Sequence, residues 1–461
     1  MSTHTPTSRR AFFSRFRFRS RLDAFFHITE RGSTIAREVR GGVVTFFTMS
    51  YILVLNPLIL SAEHEGIAPL GTTEQIAAGT ALVAGVMTIL MGLVANYPMA
   101  LAAGLGINAM VAYTLVGMNG MTYADAMGLI VIEGVIILVL VLTGFREAVF
   151  RAVPAHIKTA ISVGIGLFIA FIGLKGTGLI VENSATYVSL GHVTAPTTLL
   201  SLFGLLFTAA LMARNVHGSI LIGIFVTTIL AMVLGMTPAP QGLGDIVSTS
   251  LPHMGETFGQ LDLAGAWNYG LVSIIFTFTV VELFDNMGTL IGLTTKAKMV
   301  KSDGHIENID KALTTDAVGT MVSAVFGTST VTSYIESAAG IAAGGRTGLT
   351  AIAAGVLFLA ALLFTPLIGL VPAFATAPAL ILVGALLMSE VGKIDFNDFT
   401  NALPAFLTII MMPLTSSIAN GFAFGFISYT VMKLFAGQHK QISWIMYLVS
   451  IAFLINLALR S

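Results

Sequence analysis

Cysteine is absent from the sequence. Disulfide bonds, thiolate metal ligands and cysteine nucleophiles are therefore excluded. Charged residues are also scarce, since Asp, Glu, Lys and Arg make up only 10% of the 461 residues, whereas a soluble domain carries about 25%. So few charges cannot cover the water-facing surface of a soluble protein of this length, and we predict that lipid is the main solvent. The 23 basic and 23 acidic residues balance, which indicates no nucleic-acid partner.

The first 40 residues are rich in arginine and interleaved with phenylalanine. A cleavable signal peptide needs an uninterrupted apolar segment close behind its first charges, and no such segment follows here. We predict a cytoplasmic N-terminal tail over residues 1–40, whose charges set the orientation of the protein. A segment that lies on the membrane surface is the alternative for the same residues.

Apolar stretches recur along the chain, and each is close to the roughly 20 helical residues that cross a bilayer. They predict an all-α polytopic membrane protein with about fourteen spans. A further apolar stretch follows at residues 442–459, for which both a span and an interfacial position stay open. The predicted spans lie near residues 41–61, 74–95, 98–117, 123–143, 153–173, 197–213, 218–236, 268–292, 308–326, 328–344, 348–370, 374–391, 401–416 and 419–436.

Lysine and arginine recur in every second loop between these spans. The opposite loops carry few basic residues, and residues 237–266 carry none. Basic loops stay in the cytoplasm during insertion. The pattern therefore predicts a multi-pass protein of the cell (inner) membrane with a cytoplasmic N-terminus, and it holds through all fourteen spans.

Two parts of the chain resemble each other. Val153-Pro154-Ala155 opens the fifth span and Val371-Pro372-Ala373 opens the twelfth, and Val163-Gly164 and Val383-Gly384 follow in the two copies. Seven spans separate the copies, and an odd number inverts the second copy in the membrane. We therefore predict seven-plus-seven inverted repeats, a plan that many secondary transporters share.

The third and tenth spans are interrupted, and they too are seven spans apart. Pro98, Gly104 and Gly106 precede a helical stretch in the third span, and residues 327–334 of the tenth are rich in Thr, Ser, Val and Tyr, which favour strands over helices. Matched interruptions in the two halves point to a transporter binding site. We predict two short strands that pair at the membrane centre, each followed by a half-helix. The alternative is that these hydroxyls and glycines only support helix packing.

Acidic side chains inside predicted spans are costly and are therefore candidates for function. Glu282 and Asp285 lie one helical turn apart on the eighth span. Glu336 lies at the start of the half-helix of the tenth span, and Asn108 holds the equivalent place in the third. The remaining two candidates have simpler interpretations: we expect Glu133 to be a structural hydrogen-bond node and Asp316 to have a packing or capping role.

These polar groups suit a neutral, planar, hydrogen-bonding ligand such as a purine base. The carboxylates of Glu282 and Glu336 can each accept N–H groups of one edge, and the amide of Asn108 offers a donor and an acceptor. An aromatic ring can stack on the face of the base. The aromatic candidates are Phe276, Phe278 and Tyr334.

Clustered buried carboxyl groups can also take up and release a proton near neutral pH. Asp285, Glu282 and Glu336 are the candidates for proton coupling. The hydroxyl groups of residues 328–333 offer oxygen ligands for sodium as an alternative, so the coupling cation stays open with the proton favoured. No pair of histidines has metal-ligand spacing, so we predict no metal site, and nothing in the sequence indicates a cofactor.

Several motifs around these residues resemble one family, the AzgA-like purine permeases. This branch of the nucleobase–cation symporters (xanthine/uracil permeases) includes bacterial adenine and guanine–hypoxanthine permeases. Residues 280–292 read VVELFDNMGTLIG, residues 327–340 read GTSTVTSYIESAAG with the match continuing to residue 350, and residues 404–415 read PAFLTIIMMPLT. Residues 45–57 and 104–113 also fit. The resemblance covers residues 35–436.

The resemblance implies the uracil-permease-like fold, with substrate held between a core domain and a gate domain at the strands of spans three and ten. The implied substrate ligands are Glu282, Glu336 and Asn108, with Asp285 important for transport. We expect Tyr334, Ile335 and Phe276 to be further substrate contacts. We therefore expect the chain to be divided into an N-terminal tail (1–40), two core segments (41–145 and 267–370), two gate segments (146–266 and 371–436) and a C-terminal apolar segment (437–461).

Two positions depart from the branch. Asp is usual where Glu282 stands, and Thr where Asn286 stands. The extra methylene of Glu282 moves its carboxylate by about 1.5 Å, which affects the purine preference rather than the family.

The expected function is import of hypoxanthine, guanine or adenine by cation symport, and homodimers are common in this architecture. A transporter of the same fold for uracil, xanthine or an inorganic anion is the first alternative, although three central acids disfavour an anion. A membrane sensor or enzyme is the second, although no loop carries a soluble domain or a nucleophile–base pair.

Overall fold

The computed structural model describes residues 21–61, 67–118, 120–144, 152–248, 254–268, 271–300 and 306–460. Most of the Arg-rich tail and the basic loop around residues 145–151, which support the predicted orientation, lie outside these ranges. Eight helical segments of the described part are long and apolar enough to cross a membrane. They are Ile35–Leu60, Thr73–Ala95, Tyr123–Leu142, Ala155–Gly176, Pro196–Ala213, Gly348–Gly369, Ala373–Lys393 and Ile418–Phe435.

Helices dominate the described chain, as predicted. The first three spans contain α1 (Ile35–Met49), α2 (Ile52–Leu60), α3 (Thr73–Leu90) and α4 (Leu105–Ala109). The rest are α5 (Tyr123–Leu142), α6 (Ala155–Gly176), α7 (Pro196–Ala213), α8 (Ser219–Val233), α9 (Leu263–Asn268), α10 (Leu271–Lys296), α11 (Ile309–Val325), α12 (Ser337–Ala342), α13 (Gly348–Ala360), α14 (Thr365–Gly369), α15 (Ala373–Met388), α16 (Phe399–Leu414), α17 (Ile418–Phe435) and α18 (Trp444–Arg460).

The predicted strands in spans three and ten are present and paired. β1 (Leu101–Ala103) runs antiparallel to β4 (Val331–Ser333) with Ala102 opposite Thr332, and every residue of both strands is buried. The half-helices α4 and α12 begin at opposite ends of this strand pair. The half-helix of span three differs from the prediction because only its first turn is α-helical, and Met110–Met118 continues as a π-helix.

A second strand pair was not anticipated. β2 (Ile180–Asn183) and β3 (Tyr187–Leu190) form an antiparallel hairpin between α6 and α7. The Asn183 side chain accepts hydrogen bonds from the N–H groups of Ala185 and Thr186, which closes the turn. Both strands contain β-forming Ile, Val and Tyr residues, but the segment is short and lies beside long apolar helices that dominate the pattern.

The helices pack in two sets around the strand pair. α1, α3 and α13 pack together and α5 packs on α11, whereas α6 packs on α15 and α16, and α16 on α17. Glycine allows the closest of these contacts: an added Cβ at Gly384 of α15 would lie 2.4 Å from the carbonyl oxygen of Gly166 on α6. The C-terminal helix α18 packs on α17, where the rings of Phe426 and Phe453 stack 5.9 Å apart.

Candidate functional site

The strand pair is held at membrane depth by side chains that complete its backbone hydrogen bonds. Thr88 of α3 donates its hydroxyl to the carbonyl of Leu101 (3.0 Å) and accepts the N–H of the same residue (2.9 Å). The Ser337 hydroxyl accepts the N–H of Ala100 at 3.0 Å. Backbone that is not helical persists inside a membrane only where the protein satisfies it in this way.

Glu336 lies immediately before α12 and is half-buried. The Tyr51 hydroxyl, from the junction of α1 and α2, donates a hydrogen bond to Glu336 Oε1. Tyr51 was not among the residues predicted for the site. It lies in segment 45–57, which resembles the family, and a single tyrosine in an apolar span could have indicated a polar role there. The neighbouring Ile335 is 53% exposed, so both residues border open space.

Tyr334 has a structural contact as well as a position in the site. Its hydroxyl donates to the carbonyl oxygen of Ala103 at 2.5 Å, which ties the two strands together. The residue is only 6% exposed, and it lies close enough to Glu336 and Asp285 to interact with them electrostatically.

Asn108, on the half-helix of span three, is fully buried. Neither its amide nitrogen nor its amide oxygen has a hydrogen-bond partner. Leaving buried polar groups unsatisfied costs about 1–3 kcal/mol each, so Asn108 is available for polar groups of a ligand.

The structure separates Glu282 from Asp285, although they are one turn apart on α10. Glu282 is 1% exposed, and its Oε1 accepts the Thr320 hydroxyl at 2.5 Å. Asp285 is exposed and accepts a long hydrogen bond of 3.4 Å from the Thr332 hydroxyl of β4. Asp285 therefore faces open space with Glu336, whereas Glu282 lies behind them.

The packing role expected for Asp316 fits the structure whereas a capping role does not, and the role of Glu133 as a hydrogen-bond node stays a prediction. Glu133 is fully buried, and neither of its carboxyl oxygens accepts a hydrogen bond from a described residue. Asp316 lies inside α11 rather than at its end, and it accepts a hydrogen bond from the Asn286 side chain of α10. Glu133 adjoins the carboxyl group of Glu282.

The aromatic candidates for stacking differ. Phe278 is fully buried, whereas the side chain of Phe276 lies outside the described part of the structure. Among the hydroxyls suggested for sodium, Thr328 is used by Asn56, which donates to it at 3.1 Å. The hydroxyls of Ser329, Thr330 and Ser333 are buried without a partner.

A cavity of about 400 Å³ lies between the two helix sets. It lies near the ends of α2 and α6 and the start of α15, on the side away from the start of α1. Tyr113, Phe168 and Phe171 give it an aromatic lining, and Lys175 reaches it with its ammonium group 6.0 Å from the centre of the Phe171 ring.

Comparison with known proteins identifies relatives over most of the chain. A family model described as "Permease family" matches residues 36–424. A guanine/hypoxanthine permease of Bacillus subtilis is 40% identical over 440 residues, which cover 94% of this chain and 99% of the relative. An adenine permease of Escherichia coli is 40% identical over 436 residues, which cover 95% and 96%.

The fold has a counterpart among solved structures. The transmembrane domain of a cyanobacterial bicarbonate transporter superposes with a TM-score of 0.64 at 16% sequence identity. The match covers 84% of this chain and 97% of that domain. At this identity the likeness concerns the fold alone, and it confirms the transporter fold expected from the sequence, with which inverted repeats are consistent. The number of fourteen spans stays a prediction.

Proposed function

The chain belongs to the permease family that its sequence matches from residue 36 to residue 424, and on that basis we propose that it imports purine bases by cation symport. It is a multi-span membrane transporter rather than an enzyme, because relatives that share its whole length are named permeases. Those relatives carry nucleobases by name, which supports a nucleobase as the cargo here.

The observation that carries the purine proposal is the set of polar groups left open around the strand pair. Glu336 and Asp285 border open space, and Asn108 has an unsatisfied amide. A purine base has ring N–H groups for the two carboxylates and both donors and acceptors for an amide. Guanine, hypoxanthine and adenine are the proposed substrates. The absence of a described basic side chain in ion-pair contact with these acids disfavours an inorganic anion.

We assign coupling to a proton, with Asp285, Glu282 and Glu336 as the groups that exchange it. Exposed Asp285 connects water to the buried Glu282, with which it interacts electrostatically. Sodium is the alternative cation, since the unpartnered hydroxyls of Ser329, Thr330 and Ser333 lie beside the same strands.

We assign residues 41–145 and 267–370 to a core domain and residues 146–266 and 371–436 to a gate domain, and we propose that the two domains move against each other during transport. With the N-terminal tail in the cytoplasm, the aromatic cavity opens to the outside of the cell membrane, and we propose it as the entrance for the base. A homodimer is the proposed assembly.

The test is uptake of labelled hypoxanthine and adenine by cells that lack their own purine carriers. We expect Glu336→Gln to lower uptake at least about tenfold, because charge-assisted hydrogen bonds of about 1.5–3 kcal/mol to the base are lost. Glu390→Gln is the matched control, because this carboxylate only pairs with Lys393 on the surface. Normal uptake by Glu336→Gln contradicts the proposal, and stronger competition by uracil or sulfate than by purines identifies another cargo.

A further inference from the structure

Three carboxyl groups meet behind the strand pair, on the side of α10 away from its open face. Glu133 of α5, Glu282 of α10 and Asp316 of α11 are each at most 1% exposed. Glu133 lies at hydrogen-bonding distance from Glu282 and interacts electrostatically with Asp316.

The described residues supply these groups with only two hydrogen-bond donors. Thr320 donates to Glu282 Oε1, and Asn286 donates to Asp316 Oδ2. Both oxygens of Glu133, Oε2 of Glu282 and Oδ1 of Asp316 receive none. No described Lys, Arg or His forms an ion pair with any of the three.

Another carboxylate of the same protein shows what a purely structural acid looks like. Glu38 is equally buried, but it accepts the N–H groups of Arg346 and Thr347 and the hydroxyl of Thr350. Such partners replace the water that a charge loses on burial. Glu133 has no equivalent, so its ionised form would be an uncompensated charge, and it fits its site as a neutral acid that donates its proton to Glu282.

The elements packed against α5 bring further acids, and none of their described lysines pairs with the three carboxyl groups. α9 carries no titratable side chain, and Asp125, at the start of α5 itself, is held in a capping box with Thr122. The titratable groups on the other packed elements are Glu282 and Asp285 of α10, Asp310, Lys311 and Asp316 of α11, Lys296 at the far end of α10, and Tyr113 of the π-helix. Lys296 and Lys311 form no ion pair with the three acids.

We propose that Glu133 stores the coupling proton and exchanges it with Glu282 during the transport cycle. The O–H bond of the Glu133 acid breaks as a new O–H bond forms at Glu282 Oε2, which leaves a carboxylate at Glu133 and an acid at Glu282. The exposed carboxylate of Asp285 passes the proton between Glu282 and water. This inference rests on the proposed function, and it adds a group from the fourth span that makes no contact with the base.

The experiment separates coupling from transport in proteoliposomes that contain the purified full-length protein. Exchange of labelled for unlabelled hypoxanthine needs no net proton movement, whereas accumulation driven by an imposed pH gradient does. With one proton per base, the wild type is expected to accumulate about tenfold per pH unit. Glu133→Gln and Glu133→Met, both uncharged and of similar length, are expected to retain exchange and lose gradient-driven accumulation. Asp125→Asn, on the same helix, is the control that accumulates normally.

Each outcome decides a different claim. The inference is overturned if either Glu133 variant accumulates hypoxanthine to the wild-type level. It is also overturned if a variant that unfolds at the wild-type temperature loses both exchange and accumulation. If one variant does not fold, the other gives the same comparison. If the wild type exchanges hypoxanthine but does not accumulate it in response to the pH gradient, proton coupling and the role of Glu133 are both refuted. If the wild type exchanges no purine, the proposed function itself is refuted.

Discussion

Glu38 is a buried charge that anchors the N-terminus of α13 to α1. Its carboxylate accepts the N–H groups of Arg346 and Thr347 and the Thr350 hydroxyl, which lie more than 300 positions away in sequence. Helix N-termini carry unsatisfied N–H groups and partial positive charge, which a carboxylate stabilises.

Glu38→Gln therefore tests a structural carboxylate. We expect the variant to lose about 2–4 kcal/mol of unfolding free energy, because charge-assisted hydrogen bonds disappear and an amide N–H meets other donors. Thermal unfolding of the purified protein in detergent measures the loss. Glu30→Gln is the control, since Glu30 is exposed and only pairs with His27, and an equal shift for both variants contradicts the assignment.

Tyr51 is the residue whose role can be examined without removing a charge. Tyr51→Phe deletes only the hydroxyl that orients Glu336. We expect purine affinity to fall about tenfold, as one hydrogen bond to a charged group is lost, while thermal stability changes little. Binding titrations compare it with Tyr187→Phe, an 86% exposed residue of the β2–β3 hairpin. Unchanged affinity in Tyr51→Phe would remove Tyr51 from the site.

At the scale of elements, α16 has a titratable cap at its N-terminus. The Asp398 side chain accepts the Thr400 hydroxyl at 2.7 Å and the Thr400 N–H at 3.0 Å, and these hydrogen bonds lower the pKa of Asp398. The buried Lys433 ammonium lies 3.8 Å from the carboxylate.

Asp398→Ala should therefore destabilise the protein in a pH-dependent way. A group with a depressed folded-state pKa stabilises the fold above its unfolded pKa and loses that contribution as the pH falls through the folded value. We expect the variant to unfold at a lower temperature than the wild type at pH 7 and the gap to close below about pH 4. Melting curves across this range check it, and a gap that does not depend on pH contradicts it.

The crossing of α6 and α15 depends on mutual glycine contact. Gly384→Ala would place a Cβ 2.4 Å from the carbonyl oxygen of Gly166, and separating two packed helices costs about 1–3 kcal/mol. Gly392→Ala, where an added Cβ meets nothing within 4 Å, should be neutral. Thermal unfolding of the two variants gives the comparison, and equal melting temperatures would contradict the close packing.

The short secondary-structure elements show which parts of the fold could be predicted from the sequence and which could not. Thr and Ser residues in the tenth span and Pro98 with two glycines in the third predicted the strand pair, because their propensities conflict with an apolar helix. The π-helix Met110–Met118 could not be predicted, since its residues are those of any apolar helix and its hydrogen-bond pattern depends on packing. The separation of Glu282 from Asp285 was equally hidden, because residues one turn apart still differ by about 60° around a helix.

On the scale of the whole molecule, the aromatic cavity is a feature that no sequence pattern announced. Its lining comes from five separate stretches of chain, each of them an ordinary apolar segment. The family resemblance, by contrast, was readable from motifs, and the family match confirms it.

Met118→Trp tests the cavity as an entrance. Met118 is 54% exposed and lines the cavity, so a larger ring there narrows the opening. We expect initial rates of purine uptake to fall several-fold while the protein remains stable. Leu206→Trp, on a 69% exposed position of α7, is the control. Equal rates for the two variants would place the entry route elsewhere.

The hydrogen bond from Tyr334 to Ala103 joins residues 231 positions apart, and the strands that flank it come from opposite halves of the chain. During synthesis, the first strand emerges long before its mate exists. The amino-terminal half must therefore remain in the bilayer with the edge of β1 unpaired until β4 has been synthesised. The transport site can assemble only late, when the polypeptide is nearly complete.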